Sequence, residues 1–444
     1  MKQTIIRDMG DGLVLRRAAS ADTKKLVAFN AEIHRDPSGD EPEIYVGAWV
    51  RDLMEGRLPT FRPGDFTLVE DTATGEIVSC LCLISQTWTY GGIPFGVGRP
   101  ELVGTHPDYR RRGLVRAQMD VVHGWSAERG ERVQAITGIP WYYRQFGYEM
   151  AMTLGGWRSG YGPNVPQPKE GEEPSYRLRP AGEEDITFIA GVYRQGTGRY
   201  PVACVWDEAL LRCELLDRSE NNVNRRGLAV IETVSGEPLG FIAYAPRVWK
   251  GAVGLSVYEL LPGASWLEIT PVVARYLWSL GEAWVEQDPD QELKSFYFWL
   301  GAEHPAYEVF RSGLPRRRKP YAWYLRVPDV PAFLRHVTPV LERRLAGSIL
   351  AGHSGEIEIS FYRSGVRLAF EEGRLVRAEP WQPKNAEDGK ALFPVLTFLQ
   401  LLFGYRSLEE LDDAFADCGT RDDGSRLLLE ALFPRQSSDV WPVS

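Results

Sequence analysis

The sequence predicts a protein of mixed α/β and α+β class built from three units, of which the first two are related. Three observations lead to this prediction. The chain has 444 residues, and at about 150 residues per domain this length corresponds to about three domains. A segment at 15–22 is repeated at 178–185, which indicates two copies of one unit. Beyond residue 328 the hydrophobic pattern changes to period-two alternation followed by helical periodicity.

The composition is that of a globular protein and argues against several classes. Hydrophobic residues make up 44% of the chain and charged residues 25%, which excludes a disordered or collagen-like chain. The 51 Lys and Arg against 60 Asp and Glu give a net charge of -9. This balance argues against a general nucleic-acid binder, because phosphate backbones require a basic surface. It suits cationic or neutral partners.

The cysteines and the N-terminus predict a soluble cytoplasmic protein without a metal centre. No Cys or Cys/His set has the spacing of metal ligands, so we expect buried, reduced thiols. Residues 1–12 contain no apolar segment typical of a signal peptide. The longest apolar stretch, 395–403, is far too short to span a bilayer. The cysteines are Cys80, Cys82, Cys204, Cys213 and Cys418.

The repeat defines the first two units. Leu15–Asp22 and Leu178–Asp185 share a Leu-Arg-x-Ala start, and each predicts a short strand, a polar turn and an apolar-periodic helix. Glycines and prolines between 159 and 174 indicate a linker. The predicted units are therefore 1–158, 175–327 and 328–444.

The third unit has an α+β pattern and is not a further copy of the repeat. Its predicted elements are, in order, a helix over 333–345, strands over 356–361 and 366–370, and helices over 392–403, 407–415 and 426–432. A basic run just before it, 316–319, lacks a following glycine and helix start. We interpret that run as a solvated face of a linker.

The segment from Glu101 to Arg116 carries the clearest chemical signal. An apolar strand runs into a loop that contains Arg110–Arg112, and Gly113 then precedes an apolar-periodic helix. The N-terminus of a helix presents unpaired N–H groups and the positive end of the helix dipole. A glycine lets a ligand approach the backbone closely, and the arginines add charge. Together they favour a pyrophosphate cradle over the alternative, a solvated Arg-rich turn.

A second motif follows downstream at Tyr142–Glu149, which reads Tyr-Tyr-Arg-Gln-Phe-Gly-Tyr-Glu. Alone it is typical of core aromatics and a turn. In this order, behind the Leu-Arg-x-Ala start, the two motifs resemble the GCN5-related N-acetyltransferase (GNAT) superfamily, whose Arg-x-x-Gly-x-Gly/Ala loop binds the pyrophosphate of acetyl-CoA. Val115 departs from the small residue usual there. The resemblance implies acetyl-CoA as co-substrate and Tyr143 as general acid.

The order of the units is similar to that of the Eis-like (enhanced intracellular survival) acetyltransferase family. The likeness of the third unit lies in Leu396–Arg406, Leu-Thr-Phe-Leu-Gln-Leu-Leu-Phe-Gly-Tyr-Arg. It implies two tandem GNAT-like domains plus a C-terminal SCP2-like (sterol carrier) α+β domain, assembled as a homohexamer. Because the second unit has no Arg-x-x-Gly loop, we expect it to be catalytically silent and to shape the pocket.

The resemblance also assigns roles to single residues. It implies the C-terminal carboxylate, at Ser444, as general base; the alternative is a water relayed by a glutamate or a histidine such as His34. Trp49 is implied in the acceptor pocket, although core packing explains it equally well. The residues implied in acetyl-CoA binding are Val103, Gly104, Thr105, Arg110, Arg111, Arg112, Gly113, Leu114, Val115, Arg116, Gly138 and Ile139.

The implied activity is acetyl transfer from acetyl-CoA to a primary amine of a small polycationic acceptor such as an aminoglycoside. The amine attacks directly through a tetrahedral intermediate, so no cysteine nucleophile is needed. One alternative is acetylation of a lysine in a protein or peptide. Another is a carrier of lipids or apolar ligands with vestigial GNAT units, which requires an apolar cavity beyond residue 328. We expect no nucleic-acid partner and no membrane span.

Overall fold

The protein is described by a computed structural model that covers residues 5–36, 42–168, 171, 174–288, 290–394 and 396–441. Within these ranges the chain forms three sheets with helices packed against them. This arrangement confirms the predicted mixed α/β and α+β class.

Up to Tyr161, the described residues form eight strands and three α-helices. The strands are β1 (Ile5–Gly10), β2 (Leu13–Arg17), β3 (Phe66–Asp71), β4 (Glu76–Tyr90), β5 (Ile93–Thr105), β6 (Val133–Ile136), β7 (Glu149–Leu154) and β8 (Trp157–Tyr161). The helices are α1 (Thr23–Ile33), α2 (Ile44–Met54) and α3 (Leu114–Glu128).

The middle of the chain, from Tyr176 to Arg326, contributes a second set of elements. The strands are β9 (Tyr176–Pro180), β10 (Val202–Cys204), β11 (Gly227–Thr233), β12 (Pro238–Tyr244), β13 (Ala252–Leu260), β14 (Ser295–Phe298), β15 (Arg316–Arg318) and β16 (Tyr321–Arg326). The helices are α4 (Ile186–Thr197), α5 (Glu208–Arg212), α6 (Trp266–Gln287) and α7 (Pro305–Val309).

The last part of the chain, from Val330, carries the third set. The strands are β17 (Gly355–Ser360), β18 (Gly365–Glu371), β19 (Arg374–Trp381), β20 (Ala391–Leu392) and β21 (Gly419–Thr420). The helices are α8 (Val330–His336), α9 (Thr338–Ala346), α10 (Phe398–Leu402), α11 (Leu408–Ala414) and α12 (Asp423–Leu432).

The first two sheets exchange strands. The first sheet has the order β1-β2-β3-β4-β5-β6-β16-β7, with β10 paired to β4, and the second has the order β15-β8-β14-β13-β12-β11-β9. Strand β16 thus comes late in the chain but lies between β6 and β7, while β8 comes early but lies between β14 and β15. The predicted linker, 159–174, accordingly begins inside a strand. The two units are joined by paired strands as well as by the connecting chain.

The repeated motif adopts the same local structure in both copies. Strands β2 and β9 each lead through a 3₁₀ turn into a helix, α1 or α4. In the first copy Arg16 pairs with Asp22 at 2.8 Å, and in the second Arg179 pairs with Asp185 at 2.7 Å. Each arginine also pairs with a glutamate of the neighbouring strand. The repeat therefore preserves an ion pair that ties the turn to the sheet.

Two local predictions of helices were wrong, and prolines explain both; a third prediction, of a solvated linker face at 316–319, was right about its exposure only. The predicted helix over 333–345 divides at Val337, because Pro339 in the next turn has no N–H to continue the helix. The predicted helix over 392–403 is only α10, because Pro394 and the left-handed Leu396 (φ 70°) precede it. The basic run at 316–319 contributes an exposed edge strand, β15, rather than a free linker.

The third unit shares a core with the first sheet. Trp88, Tyr90 and Phe95 of β4 and β5 belong to one buried cluster with Phe333 of α8 and Phe403 after α10. The Tyr90 hydroxyl donates a hydrogen bond to the Leu402 carbonyl at 2.7 Å. All five cysteines are buried and form no disulfide, as predicted. Across the described ranges, no helix combines the length and apolar character needed to cross a membrane.

Candidate active site

A cleft of about 930 Å³ opens where two parallel strands of the first sheet separate. Strands β5 and β6 are paired only at Val97–Val133 and Gly98–Gln134, although β5 continues to Thr105. From Arg99 onward the side of β5 that faces β6 has no strand partner among the described residues. The unpaired backbone edge can therefore form hydrogen bonds with an extended ligand in the cleft.

A β-bulge shapes the floor of the cleft. Cys80 pairs with Gly104 and Cys82 with Glu101, so Leu102 and Val103 together lie opposite one residue of β4. Leu102 has a positive φ of 54°, which the bulge requires. A bulge changes the direction of the backbone N–H and C=O groups next to it, and Leu102 and Val103 in this bulge line the cleft.

The mouth of the cleft is the N-terminus of α3. Gly113 caps the helix with φ 74°, a conformation that favours glycine. The Ala117 N–H bonds to the Gly113 carbonyl at 3.1 Å, which leaves the amides of the first turn before it without intrahelical partners. Arg110 and Arg111 line the cleft nearby and are exposed. Free amides, a helix dipole and two guanidinium groups fit a pyrophosphate.

The third arginine of the loop is placed apart from the other two. Arg112 donates to the Asp11 carboxylate at 2.9 Å and lies 5.6 Å from the ring centre of Tyr109. It is not among the residues that line the cleft. Arg116, one turn into α3, lines the cleft, donates to Gln145 at 2.9 Å and lies over the Phe146 ring.

Tyr143 lies at the wall of the cleft in a 3₁₀ helix, Tyr142–Phe146. It is 4% exposed and packs edge-on against Tyr142, Tyr148 and Tyr324. Burial raises the pKa of Tyr143, and the nearby Glu101 carboxylate raises it further. The hydroxyl therefore keeps its proton at neutral pH, as a proton donor must.

Strand β16 supports the loop that leads to Tyr143. The Tyr321 hydroxyl donates to the Gly138 carbonyl at 3.1 Å, and the Tyr324 hydroxyl donates to Ile139 at 3.3 Å. The Trp141 amide in turn donates to the Tyr324 oxygen at 2.5 Å. Sequence reasoning missed both supporting tyrosines, because they come from a distant part of the chain.

Among the described residues, Glu101 is the acidic side chain that lines the cleft, and Arg99 is its ion-pair partner. The Arg99 side chain is fully buried and lies 4.7 Å from the Trp323 ring centre. Burial raises the pKa of Glu101 and lowers the pKa of Arg99. In the sequence, Glu101 stood only as the first residue of the motif and had no predicted role. Its position directly before the bulge is the signal that could have identified it.

The opposite wall comes from α1 and α2. Ile33, His34, Val46 and Trp49 line it, and Trp49 is half-buried. Burial lowers the pKa of His34, and its Nε2 atom has no hydrogen-bond partner among the described residues. The wall thus combines an aromatic face with a neutral imidazole.

The structure brings most of the predicted site residues together, leaves one apart and does not describe another. Arg112 turns to Asp11, and Ser444 lies outside the described residues. Together around one cleft are Trp49, Val103, Gly104, Thr105, Arg110, Arg111, Gly113, Leu114, Val115, Arg116, Gly138, Ile139 and Tyr143.

In the described residues of the other two units we find no site like this cleft. The turn after β13, Leu261–Ser265, contains no arginine. In the third unit a depression of about 740 Å³ is lined by charged side chains including Arg335, Arg377 and Glu379, whereas apolar side chains fill the core. No group of three or more His, Cys, Asp or Glu side chains in the described part of the chain could hold a metal ion.

Comparison with protein-family models supports an acetyltransferase domain of the GNAT type within the first unit. Residues 15–151 match the family model described as acetyltransferase (GNAT) domain. This range contains the bulge, the α3 N-terminus and Tyr143. Among curated proteins, no significant match is found.

Solved structures extend the likeness in fold to nearly the whole chain. A conserved protein of unknown function from Enterococcus faecalis V583 is 14% identical, with a TM-score of 0.66 over 96% of this chain and 97% of its own. A GCN5-related N-acetyltransferase from Kribbella flavida is 16% identical, with a TM-score of 0.63 over 96% and 97%. Eis1 from Mycobacterium abscessus is 15% identical, with a TM-score of 0.58 over 96% and 99%.

Proposed function

We propose that the protein transfers the acetyl group of acetyl-CoA to a primary amine of a small polycationic acceptor, for which an aminoglycoside is a suitable example. The observation that carries this proposal is the coincidence of the matched range, 15–151, with the cleft between β5 and β6. The pantetheine arm pairs with the free edge of β5, and the pyrophosphate lies at the N-terminus of α3.

We call the end of the cleft near Trp49 the acceptor end, and its chemistry supports a cationic acceptor. Trp49 offers an aromatic face, which attracts ammonium groups. Glu101, which is paired with Arg99, lines the same cleft. Arg110 and Arg111 lie at the other end of the cleft, where they attract the phosphates of acetyl-CoA.

The residues support direct transfer. The neutral amine nitrogen bonds to the thioester carbon, and the carbonyl oxygen becomes an oxyanion stabilised by N–H groups at the bulge. Collapse of the intermediate breaks the C–S bond, and the departing thiolate takes the proton of the Tyr143 hydroxyl. The proton lost by the amine goes to a general base.

Three groups are candidates for that base. They are the carboxylate at Ser444 if the chain ends there, the neutral His34 imidazole and the Glu101 carboxylate. Three variants distinguish these candidates: a chain without its last residues, His34→Ala and Glu101→Gln. Only loss of the true base lowers kcat at neutral pH without weakening acetyl-CoA binding. The same variants assayed at high pH, where the amine is already neutral, regain activity only if a base was lost.

The proposed organisation keeps the ranges 1–158, 175–327 and 328–444. The first is the catalytic domain, the second a silent GNAT-like domain, and the third an SCP2-like domain of an Eis-like protein. Self-association as a homohexamer belongs to the same proposal, and sedimentation velocity tests it.

The test of the function is release of CoA from acetyl-CoA in the presence of a panel of amines. We expect turnover with polyamine acceptors and little with monoamines. Turnover only with lysine peptides would replace the small acceptor by a protein acceptor. Absence of acetyl-CoA binding would remove the acetyltransferase proposal altogether.

A further inference from the structure

The second sheet contains a parallel strand pair that is equivalent to the pair that opens into the cleft of the first sheet. Strands β13 and β14 pair over Ala252–Leu255 and Ser295–Phe298, and β13 then continues to Leu260. The space beyond the paired residues corresponds to the cleft between β5 and β6. Here only a small pocket of about 10 Å³ remains, lined by Ser256–Glu259 and, from the last part of the chain, by Asp439 and Trp441. We call it the second pocket.

Asp439 and Trp441, which line the second pocket, belong to the segment Ser438–Trp441, which we call the tail segment. The Thr153 hydroxyl donates to the Ser438 carbonyl at 2.6 Å, and the Tyr193 hydroxyl donates to the Trp441 carbonyl. The Trp441 indole meets Trp299 edge-to-face, with 5.9 Å between ring centres. The tail segment is thus held by backbone hydrogen bonds at both ends and by a buried aromatic anchor.

Asp439 faces one cation and one other carboxylate in this pocket. Arg199 makes two hydrogen bonds to Glu259, at 2.7 and 2.5 Å, so its charge is already matched. Gly301, with φ 75°, makes room for Asp439, since a Cβ there would lie 3.2 Å from the Asp439 carboxyl carbon. The charged and titratable groups around Asp439 are Arg199, Glu259, Tyr193, Tyr200, His304 and Tyr307.

The second pocket is connected to the acceptor end of the cleft. Trp441 is buried in one cluster, and Leu210 packs both against that cluster and against a second one, which contains Val50 and Leu53 of α2. Asp52 of α2, the helix that carries Trp49, accepts a hydrogen bond from Asn222 at 2.6 Å. The second unit therefore braces α2, and the tail segment reaches α2 only indirectly, through the packing of Leu210.

We propose that the tail segment occupies the second pocket as a ligand that belongs to the chain itself. Asp439 is a positioning residue, and its neutral form keeps the tail segment in the pocket. The seated tail segment in turn holds α2 at the acceptor end of the cleft. The effect on catalysis rests on the proposed function. The seating of the tail segment does not.

The protonation of Asp439 gives this seating a pH dependence of known sign. Burial raises the pKa of Asp439 to about 7, with Arg199 lowering it and Glu259 raising it, whereas an exposed aspartate titrates near about 3.9. Between these values the seated form binds more protons than the released form. Seating therefore weakens as the pH rises from about 4 to about 7 and is constant above that window.

Two neighbours titrate as well. Burial raises the pKa of Glu259, but its ion pair with Arg199 involves no residue of the tail segment, so we expect Glu259 to contribute little to the pH dependence of seating. Burial lowers the pKa of His304, so its protonation opposes seating only at more acidic pH. Substitution of Asp439 isolates its share.

Hydrogen–deuterium exchange of the full chain tests the proposal. Peptides over 436–441 are compared at pH 5.5 and 7.5 after correction for intrinsic exchange rates. For the wild type, we expect protection to fall about 25-fold over this interval and to level off above about pH 8. Asp439→Asn should stay protected at both values, because the amide cannot ionise. Asp413→Asn, an exposed change on α11, should behave like the wild type.

Two outcomes would overturn the proposal. One is a tail segment that exchanges freely at both pH values, and the other is an unchanged pH dependence in Asp439→Asn. Acceptor KM provides a second readout: it should rise with pH up to about 7 in the wild type and stay flat in Asp439→Asn, while the acetyl-CoA Kd is the same in both. A failure of the proposed function would abolish acetyl-CoA binding but leave the exchange result intact.

Discussion

At the scale of single residues, burial keeps two groups of the cleft uncharged at neutral pH. Tyr143 is held among aromatic rings beside Glu101, and both effects raise its pKa. His34 is held in a wall where burial lowers its pKa. A protonated phenol and a neutral imidazole thus line one cleft at neutral pH, which is the combination that an acid and a base require.

Tyr143→Phe should lower kcat about 10²–10⁴-fold, the usual contribution of a general acid. The acetyl-CoA Kd should change little, because the ring and its packing remain. Steady-state kinetics and calorimetry measure the two quantities, with Tyr142→Phe as the matched control in the same 3₁₀ helix. Equal kcat in the Tyr143 and Tyr142 variants would remove Tyr143 from the reaction.

The three loop arginines should differ in their effect on acetyl-CoA binding. Arg110→Ala and Arg111→Ala should each weaken binding about tenfold, or about 1.4 kcal/mol, through loss of a charged contact to phosphate. Arg112→Ala should have less effect, because Arg112 is engaged with Asp11. Calorimetric titrations of the three variants test this order. A larger loss in Arg112→Ala than in the other two would show that the loop rearranges on binding.

At the scale of elements, close packing of α1 against β5 sets the width of the cleft. A Cβ at Gly104 would lie 2.5 Å from Ile33 Cγ2 and 3.3 Å from Phe29 Cε1. Any side chain there must push α1 away from the sheet, and α1 carries Ile33 into the cleft wall. Gly104 is thus required for the close approach of the helix.

Gly104→Ala should lower the free energy of unfolding by about 1–3 kcal/mol, the usual cost of overpacking a core. Gly124→Ala is the matched control: it lies on the exposed side of α3 with nothing within 4 Å of the new methyl group. That control should gain about 0.5–1 kcal/mol from helix propensity. Denaturant titration measures both values, and a neutral Gly104→Ala would contradict the tight contact.

The elements also show how far the sequence could predict the site. The cradle at Gly113 was predictable, because strand, loop, glycine and helix follow one another in the chain. The orientation of Arg112 was not, since it depends on Asp11, a residue far away in sequence. The hydrogen bond from Tyr321 to Gly138 could not be predicted either, because a local sequence pattern does not show which distant strands pair with each other.

At the scale of the whole molecule, the exchanged strands make the first two units interdependent. Strand β16 pairs with β6 on one side and with β7 on the other. Without it, the segment that bears Tyr143 would lose both Tyr324 and the strand that connects β6 to β7. The boundary predicted at residue 158 divides the sequence but does not divide this sheet.

A fragment of residues 1–158 should therefore not fold cooperatively. Leu154 pairs directly with Tyr321, so a second fragment, with a short Asn-Gly turn in place of 155–320 followed by residues 321–327, restores β16. Both fragments expose the surface that the third unit covers in the full chain. A difference in their unfolding therefore reports the contribution of β16. Thermal unfolding followed by circular dichroism should show a cooperative transition only in the second fragment. A cooperative transition in 1–158 alone would contradict this prediction.

The central claim is that one cleft, in the first unit, binds acetyl-CoA. Calorimetric titration of the full chain with acetyl-CoA tests it most directly, comparing the wild type with the Arg110→Ala/Arg111→Ala double variant. The account predicts one site per chain in the wild type and about 100-fold weaker binding in the double variant, if the two contacts are additive. Absence of binding, two equivalent sites per chain, or equal affinity in the double variant would contradict it.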